Sequence, residues 1–499
     1  MAAQHKQPWL GRPAQILLAA IIALALVRMA LAASIGLTDD EAYYRLWALA
    51  PAWGYLDHPP MVAWMIAAGR WIAGDTALGI RLCAVFTSLL GPLALWRSAH
   101  VLFGPTIARR AVWVVLVMPL MAVGGIIITP DTPSVLFWGL AAWALAELHV
   151  SRNANWWLAV GAFAGLGLLS KYTNLFVGAG ILLWMVWGAG NSRWLRSWQL
   201  WVGGAVAALV GLPVVLWNAQ HEWASFAKQF GRAGRGHGWT LAYLAELVGA
   251  FVGLASPLIA ALAIAGLVQA ISASVRERSQ AHILLVSGLI PLLAYFLVHA
   301  LHSRVQANWL APLYPAFAIC AAIAVAAGVG AWPRRIASWA LPVGFLSSAL
   351  LYAHAIHPLR LSEYTKDPSA QMRGWARLAA ELDAMRNAHG ACWIATSSYA
   401  TTGQLAYHLR GRAPVAQLDE PLRYVHLPPL DAETRACTAL YVELERRHER
   451  DLLDAQFASV TDLGVLDRKH AGVPLARYVV HLLAQPRLGN PEADVRALR

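Results

Sequence analysis

The sequence predicts an α-helical polytopic membrane protein with a small α/β domain at its C-terminal end. Of 499 residues, 58% are hydrophobic and 13% are charged. Eleven apolar stretches can each hold a membrane helix, and the part of the chain that follows them is polar. A chain this apolar cannot hide its hydrophobic side chains inside a soluble globule of ordinary composition. The composition therefore excludes an ordinary soluble protein.

The apolar stretches all lie before residue 355, and most approach the roughly 20 residues that a bilayer requires. The fourth to sixth are shorter, so we expect local thinning of the lipid or a partly re-entrant course there. The eleven are 14–33, 76–95, 111–128, 133–148, 156–170, 173–189, 200–217, 241–270, 283–300, 309–328 and 336–353. They predict a transmembrane domain at 1–354, with a first outer loop at 36–75, and a soluble domain at 355–499.

The net charge of +12 is concentrated in the hydrophobic part of the chain. Before residue 355 there are 21 Lys and Arg against 10 Asp and Glu, and afterwards 18 against 17. Basic residues on short loops follow the positive-inside rule, so no nucleic-acid partner is needed to explain them. The loop charges predict a multi-pass inner-membrane protein with a cytoplasmic N-terminus and a periplasmic tail. Cys392 and Cys437 could form a disulfide there.

The tail shows both helical and strand patterns. Apolar side chains recur at three-to-four spacing over 367–388, which predicts an amphipathic helix that Gly390 ends. The apolar runs 391–395 and 439–442 are typical of strands. We therefore predict a small mixed α/β domain.

The first outer loop begins with three consecutive acids. Asp39, Asp40 and Glu41 are followed by the aromatic pair Tyr43 and Tyr44. Clustered carboxylates repel one another, which raises at least one pKa and favours a general base or a metal site. The alternative is that these residues only cap a helix over 42–49.

Further candidates lie on loops of the same predicted face. Asp57-His58-Pro59-Pro60 offers two ligands and a rigid stop, or only a turn. Asp131 stands in a Pro-Asp-Thr-Pro turn, where a cap is the alternative. Lys171, next to Tyr172, interrupts an apolar hairpin and suits a lipid-linked phosphate, unless it only extends to the interface.

The loop after the seventh stretch collects amides, imidazoles and cations. It contains Asn218, His221 and Lys228, and the connection at 302–309 adds Arg304. The cations could hold a phosphate, while His221 could complete a Zn, Mg or Mn site with a first-loop acid such as Asp57. Solvation of a basic loop is the alternative. Because every polar group lies on one side, the pattern indicates an outward-facing active site and not a transport path.

These motifs resemble the GT-C superfamily of polyprenyl-phosphate-sugar glycosyltransferases, in particular the bacterial protein O-mannosyltransferase and lipid A aminoarabinose transferase branch. Asp40-Glu41 is similar to the family's first-loop Asp-Glu pair, whose aspartate is implicated as catalytic. Asp57-His58-Pro59-Pro60 resembles its Glu-Lys-Pro-Pro motif. Asp131 resembles the second essential acid, Lys171 the contact to carrier phosphate, and His221 a metal-binding histidine.

Two positions depart from the pattern of the aminoarabinose branch. Tyr43 replaces an arginine and His58 replaces a lysine, so the resemblance implies that carrier phosphate is held elsewhere, by Arg45, Lys228 or Arg304. The sugar and the acceptor are left open by these departures.

The resemblance implies an inverting transfer of a sugar from polyprenyl (undecaprenyl) phosphate to a lipid, glycan or protein. The alternatives are a flippase of lipid-linked sugars and a structural subunit whose tail binds partners. The expected catalytic residues are Asp40, Glu41 and Asp131, and the expected metal ligands are Asp57 and His221. The expected substrate-binding residues are Tyr43, Tyr44, Arg45, His58, Lys171, Tyr172, Asn218, Lys228 and Arg304.

Overall fold

The computed structural model describes residues 11–231, 238–327, 331–359, 362–487 and 497–498. These residues form two compact units. The membrane unit comprises Met1–Ala32, His58–Val62 and Arg81–Tyr352, and the tail unit comprises Ala33–Asp57, Ala63–Ile80 and Ala353–Arg499. Most of the first outer loop, predicted to accompany the membrane domain, thus groups with the tail.

Twenty α-helices occur in the described residues. In chain order they are α1 (Arg12–Ser34), α2 (Asp39–Leu49), α3 (Met61–Ala73), α4 (Ala77–Phe103), α5 (Pro105–Val117), α6 (Pro119–Gly124), α7 (Asp131–Ser151), α8 (Trp156–Leu168), α9 (Leu175–Trp187), α10 (Trp198–Gln220), α11 (Ala224–Gly231), α12 (Ala242–Ala255), α13 (Pro257–Arg276), α14 (Gln280–His299), α15 (Tyr314–Ala327), α16 (Ala331–Ile356), α17 (Trp375–Ala388), α18 (Tyr399–His408), α19 (Ala432–Ala436) and α20 (Arg450–Gln456).

Eight helical segments among the described residues are long and apolar enough to cross a membrane. They are α1, α4, α7, α10, α13, α14, the segment Ala307–Ala327 that ends with α15, and α16. Four further apolar helices are shorter: α3, α8, α12 and the segment Tyr172–Trp187 that contains α9. The predicted multi-span helical fold is confirmed, whereas the count of about eleven spans stays a prediction.

One predicted stretch, 241–270, is divided into two helices. Helix α12 ends at Ala255 and α13 begins at Pro257, while Ser256 between them has a φ of 74°. Proline lacks the N–H that would continue a helical ladder, and it disfavours helical geometry in the residue before it. The same chemistry divides 111–128, where Met118 precedes Pro119 and separates α5 from α6.

The membrane unit packs its helices through small residues. A Cβ atom added to Gly161 would lie 2.0 Å from the carbonyl oxygen of Gly203, so α8 and α10 are in backbone contact. A Cβ atom on Gly266 would meet the carbonyl of Cys320 in the same way, where α13 meets α15. Helices in lipid associate through close van der Waals packing of this kind. The hydrophobic effect does not favour a helix neighbour there, because acyl chains are equally apolar.

The tail unit is built on a six-stranded sheet in the order β4-β5-β3-β1-β2-β6. Strand β1 pairs in parallel with β2 and β3, and β4 and β5 form an antiparallel hairpin. The strands are β1 (Trp393–Thr396), β2 (Val415–Gln417), β3 (Ala439–Leu444), β4 (Phe457–His470), β5 (Val473–Pro486) and β6 (Ala497–Leu498). The mixed α/β domain is confirmed.

The sequence predictions for the tail hold with one interruption. The amphipathic helix predicted over 367–388 is a 3₁₀ turn at Pro368–Met372 followed by α17, because Gly374 between them adopts a φ of 79°. Both predicted strands are present as β1 and β3. A disulfide joins Cys392 to Cys437, just before those two neighbouring strands.

Helix α2 of the first loop packs on α18 of the tail. A Cβ atom added to Gly403 would lie 2.8 Å from the backbone nitrogen of Tyr43. The glycine therefore lets the two helix backbones approach, which brings side chains of the tail to the acidic end of α2.

Candidate active site

Glu41 forms a capping box at the start of α2. The Thr38 hydroxyl accepts from the Glu41 N–H at 3.2 Å, and Glu41 Oε2 accepts from the backbone N–H and hydroxyl of Thr38 at 3.0 and 3.1 Å. The Glu41 side chain is fully buried. This is the reciprocal geometry that satisfies the free amides of a helix N-terminus. The helix-cap alternative therefore holds for Glu41, which we no longer consider a catalytic residue.

Asp40 differs from Glu41 because its side chain is solvent-accessible. Protein nevertheless surrounds the carboxylate on most sides, and this desolvation, followed by the charge of Asp39, raises the pKa of Asp40 to about 6. A hydrogen bond from the Tyr399 hydroxyl opposes the rise. A carboxylate with a pKa near neutrality can take a proton and give it up again at physiological pH.

Asp39 is anchored by two glutamines of the tail. Its carboxylate accepts from Gln404 Nε2 at 3.0 Å, and its N–H donates to Gln371 Oε1 at 3.0 Å. Burial raises the pKa of Asp39 despite these contacts. Asp39 is thus held in place beside Asp40, where its charge adds to the desolvation that raises the pKa of Asp40.

Asp57 forms an ion pair with Arg423 of the tail. Its Oδ2 atom accepts from the Tyr43 hydroxyl at 2.8 Å and from Arg423, whose guanidinium lies over the ring of Tyr399. Tyr43 is buried, so it supports Asp57 from inside the unit and offers little surface to a substrate. Tyr44 is buried beside Trp47.

A metal site at Asp57 and His221 does not fit these side chains. Asp57 is committed to a cation, and in the membrane unit His221 Nδ1 lies 2.7 Å from the carbonyl of Trp217, with the two rings stacked. Within the described ranges no cluster of three or more His, Cys, Asp or Glu is arranged to hold a metal ion. The expected Zn, Mg or Mn site at this pair is therefore not supported.

Arg45 is committed to Asp75 and so is not a free phosphate ligand. Its Nε donates to Oδ1 of Asp75 at 2.9 Å, and its side chain is 1% exposed. Arg70 donates to the same carboxylate at 2.8 Å. Burial alone would raise the pKa of Asp75, but the two guanidiniums outweigh it and lower that pKa. Arg45 therefore forms a structural ion pair with Asp75, and the expected contact of Arg45 to carrier phosphate is not supported.

The membrane unit holds a second polar cluster around Asp131. Lys171 Nζ donates to Asp131 Oδ1 at 2.6 Å, and Asn308 donates to Oδ2. Both members of the ion pair are buried. Asp131 is the first residue of α7, but the N-cap of that helix is Pro130 and makes no side-chain hydrogen bond, so the cap alternative is wrong for Asp131. Two residues that were predicted separately are thus brought into direct contact.

The loop after α10 is ordered by Asn218, whose amide oxygen accepts from the N–H of Phe226 at 3.0 Å. Tyr172 hydrogen-bonds Ser225 at 2.8 Å in the same region. Lys228 lies half-buried on α11. Arg304 is exposed and pairs with Glu246 at 2.7 Å. His58 is half-buried in the membrane unit. The sequence continues after α11 with three more basic residues, Arg232, Arg235 and His237, which lie outside the described residues.

Tyr399, Gln404 and Arg423 are the site residues that the sequence analysis missed. They lie in the tail, hundreds of residues after the acidic helix, and belong to no motif that points to chemistry. Asn308 was noted only as part of a polar connection. Its position beside a predicted functional lysine becomes visible only when the helices are assembled.

The fold is similar to that of a solved membrane glycosyltransferase, and the sequence is similar to polyprenyl-phosphate-dependent glycosyltransferases of the GT-C type. Residues 57–217 match the family model described as dolichyl-phosphate-mannose-protein mannosyltransferase. The resemblance predicted from the motifs is confirmed.

Two curated relatives and one solved structure give the detail. The chain is 27% identical over 377 residues to the lipid A galacturonosyltransferase RgtD of Rhizobium johnstonii, covering 74% of this chain and 77% of that one. It is 28% identical over 178 residues to the undecaprenyl phosphate-alpha-4-amino-4-deoxy-L-arabinose arabinosyl transferase of Edwardsiella ictaluri, covering 34% and 31%. The crystal structure of ArnT from Cupriavidus metallidurans bound to undecaprenyl phosphate has a TM-score of 0.64 at 16% identity and covers 94% and 98% of the two chains.

Proposed function

We propose that this protein transfers a sugar from undecaprenyl phosphate to a hydroxyl group of a lipid acceptor of the lipid A class. The relatives supply the class of donor and acceptor. The observation that carries the mechanism is the Asp40 carboxylate, which is accessible, has a pKa of about 6 and accepts a hydrogen bond from Tyr399.

The reaction is a single displacement with inversion at the anomeric carbon. The acceptor oxygen forms a bond to that carbon as the bond between the carbon and the phosphate oxygen breaks. Asp40 takes the proton of the acceptor hydroxyl, and polyprenyl phosphate leaves as the anion. Tyr399 keeps part of the Asp40 population ionised, because a hydrogen bond to the charged form favours that form.

Lys171 is the cation that we assign to the departing phosphate. Its ammonium group donates to Asp131, whose other carboxylate oxygen accepts from Asn308. Asp131 is therefore a positioning residue in this proposal and not a base. Lys228 and Arg304 remain candidates for further contacts to the carrier, together with His58, Tyr172 and Asn218. No step of the reaction is assigned to a metal ion, because Asp57 already pairs with Arg423.

We further propose that the tail is periplasmic and the N-terminus cytoplasmic, in the inner membrane. The disulfide between Cys392 and Cys437 supports this orientation, since such bonds persist in oxidising compartments. Labelling of free thiols in intact cells tests it: the pair is expected to stay unlabelled until a reductant is added. Labelling without reductant would contradict a periplasmic tail.

The flippase alternative has no counterpart among the relatives reported above, which are transferases. To test the proposal, the full-length protein in nanodiscs is supplied with undecaprenyl phosphate carrying galacturonate or aminoarabinose, together with lipid A. Mass spectrometry should detect a glycosylated lipid A with one of the donors. Sugar that crosses a vesicle membrane without forming a glycosidic product would instead support the flippase.

A further inference from the structure

A polar cavity lies wholly within the tail unit, with a volume of about 680 Å³. Its walls come from the start of α2 at Asp39, the segment 364–371, the start of α18, the end of β3 with the turn Glu445–Arg447, and the β4–β5 hairpin. This volume is typical of sites for small molecules or for the headgroup of a larger one.

The charged groups of this cavity divide into those with partners and those without. Glu443 is buried and accepts from the N–H groups of Ser397 and Ser398 at 3.1 and 2.8 Å, and from Thr401 at 2.9 Å. Arg468 is buried and donates to the carbonyl of Ala370 at 2.8 Å. The Glu443 carboxylate is thus satisfied by the protein, whereas Arg468 keeps a buried Nε without a hydrogen-bond partner among the described residues.

Asp367 and Arg477 at the cavity wall also have partners within the protein. Asp367 accepts from His354 at 2.6 Å and from the N–H of Ser369 at 2.8 Å. Arg477 donates to the Tyr364 hydroxyl at 2.7 Å and pairs with Asp467.

Three cations at the wall have no such partner. Lys366, Arg446 and Arg447 line the cavity, and in the part of the chain that the structure describes their side chains make no hydrogen bond or ion pair. Among the described residues, Glu445 is the one acid of the cavity wall whose side chain also makes no hydrogen bond or ion pair. Asp39, by contrast, accepts from Gln404. The uncommitted charge of the cavity is therefore positive. Arginine side chains on one turn suit the planar oxygens of a phosphate or carboxylate.

The cavity also borders the residue that directly precedes the proposed base. Asp39 contributes to its wall and directly precedes Asp40, and the Arg447 charge acts on both Asp39 and Tyr399. A molecule held by its anionic group in the cavity would lie next to the segment that carries Asp40, because Asp39 forms part of the wall.

We propose that this cavity binds the acceptor through a phosphate or carboxylate group on its sugar, with Arg446, Arg447 and Lys366 as the anion ligands. The inference rests on the proposed function, because it takes Asp40 as the base that receives the acceptor proton. It adds the chemistry of the acceptor: an anionic sugar. That sugar is either the headgroup of a glycolipid or a soluble sugar phosphate.

Binding to the full-length protein in phosphatidylcholine nanodiscs tests the cavity independently of catalysis. The probe is a phosphorylated glucosamine disaccharide, compared with the same disaccharide lacking phosphate. The double variant Arg446→Gln, Arg447→Gln should weaken binding of the phosphorylated probe by about tenfold or more, since charge-assisted hydrogen bonds are lost. The control Arg412→Gln removes an exposed cation of the same unit outside the cavity and should leave binding unchanged.

The outcomes separate the two sources and the two hypotheses. Bisphosphorylated lipid A in the nanodisc should displace the probe if the natural ligand is a glycolipid, and should fail to do so if it is a soluble sugar phosphate; either result supports an anionic sugar. Equal binding of both disaccharides, or unchanged binding in the double variant, would overturn the proposal.

In transfer assays the double variant should raise the acceptor KM and leave the donor KM unchanged. A raised donor KM alone would assign the cavity to the carrier and overturn the inference. A wild-type protein that binds the probe but transfers no sugar would refute the proposed function and leave the cavity intact.

Discussion

The hydroxyl group of Tyr399 donates a hydrogen bond to the carboxylate of Asp40. One residue belongs to the tail and the other to the first loop, and both lie in one compact unit. The tail therefore contributes directly to the proposed base. Deleting it would remove a catalytic partner as well as a binding domain, so tail deletion cannot by itself separate a catalyst from a partner-binding subunit.

Replacing Tyr399 with Phe should move the acid limb of the pH–rate profile to higher pH. The lost hydrogen bond had favoured the ionised form of Asp40, so the pKa of Asp40 rises above about 6. A loss of about 1.4 kcal/mol corresponds to roughly one pH unit. Measured kcat/KM should fall more at pH 6 than at pH 8. The control Tyr407→Phe lies on the same helix and should leave the limb in place; an unmoved limb in the Tyr399 variant would contradict the contact.

Replacing Asp40 with Asn should stabilise the fold at neutral pH. The pKa of Asp40 is raised from 3.8 to about 6, so the folded state disfavours the charge, and this cost grows as pH rises from about 4 to 6 and persists above. Because the side chain is exposed, we expect a gain of only about 1 kcal/mol at pH 7.5, and almost none at pH 4. Thermal melts at both pH values measure it. A variant that is less stable at pH 7.5 would contradict the raised pKa.

Asp75 should behave with the opposite sign. Its pKa is lowered by Arg45 and Arg70, so its contribution to stability is present at neutral pH and is lost as pH falls through the lowered pKa. Arg45→Met should cost about 2 kcal/mol, since it removes the buried partner of a half-buried carboxylate that keeps its contact to Arg70. The donor KM should stay at the wild-type value, because Arg45 is committed to Asp75. A large rise in donor KM without loss of stability would contradict this and indicate that Arg45 contacts the carrier phosphate.

Lys171 and Asp131 should show strong coupling in a double-mutant cycle. Lys171→Met and Asp131→Asn each break a buried pair, at about 3 kcal/mol, whereas the double variant should cost less than the sum. Lys171→Met should also raise the donor KM or lower kcat more than Asp131→Asn does, because only the lysine is assigned to the phosphate. Additive effects on stability would mean that the two side chains do not form the pair.

The sequence was sufficient for the fold class and for the segments that carry chemistry. Asp40 was singled out by its cluster of acids, Asp131 by its Pro-Asp-Thr-Pro turn, and Lys171 because an ionisable residue at membrane depth is costly and needs a reason. What it could not supply was their partners. Whether Glu41 caps a helix or works as a catalyst, and whether Arg45 meets a phosphate or Asp75, depends on contacts that the motifs leave open.

Long-range partners account for the rest. Tyr399 reaches the acidic helix because Gly403 lets α18 approach α2, and no local pattern in the tail predicts that packing or the contact of Arg423 with Asp57. The division at Ser256 was available in principle, because Pro257 follows it. Hydropathy alone nevertheless predicts a single helix for the apolar run around Ser256.

The central claim is that Asp40 accepts the acceptor's proton, and sugar transfer by the Asp40→Asn variant tests it most directly. The variant and the wild type are compared in nanodiscs with a polyprenyl phosphate sugar donor and lipid A, at saturating concentrations of both. We expect kcat to fall by at least about a hundredfold, the scale of lost general-base catalysis, with donor binding retained. Turnover at the wild-type rate would contradict the account.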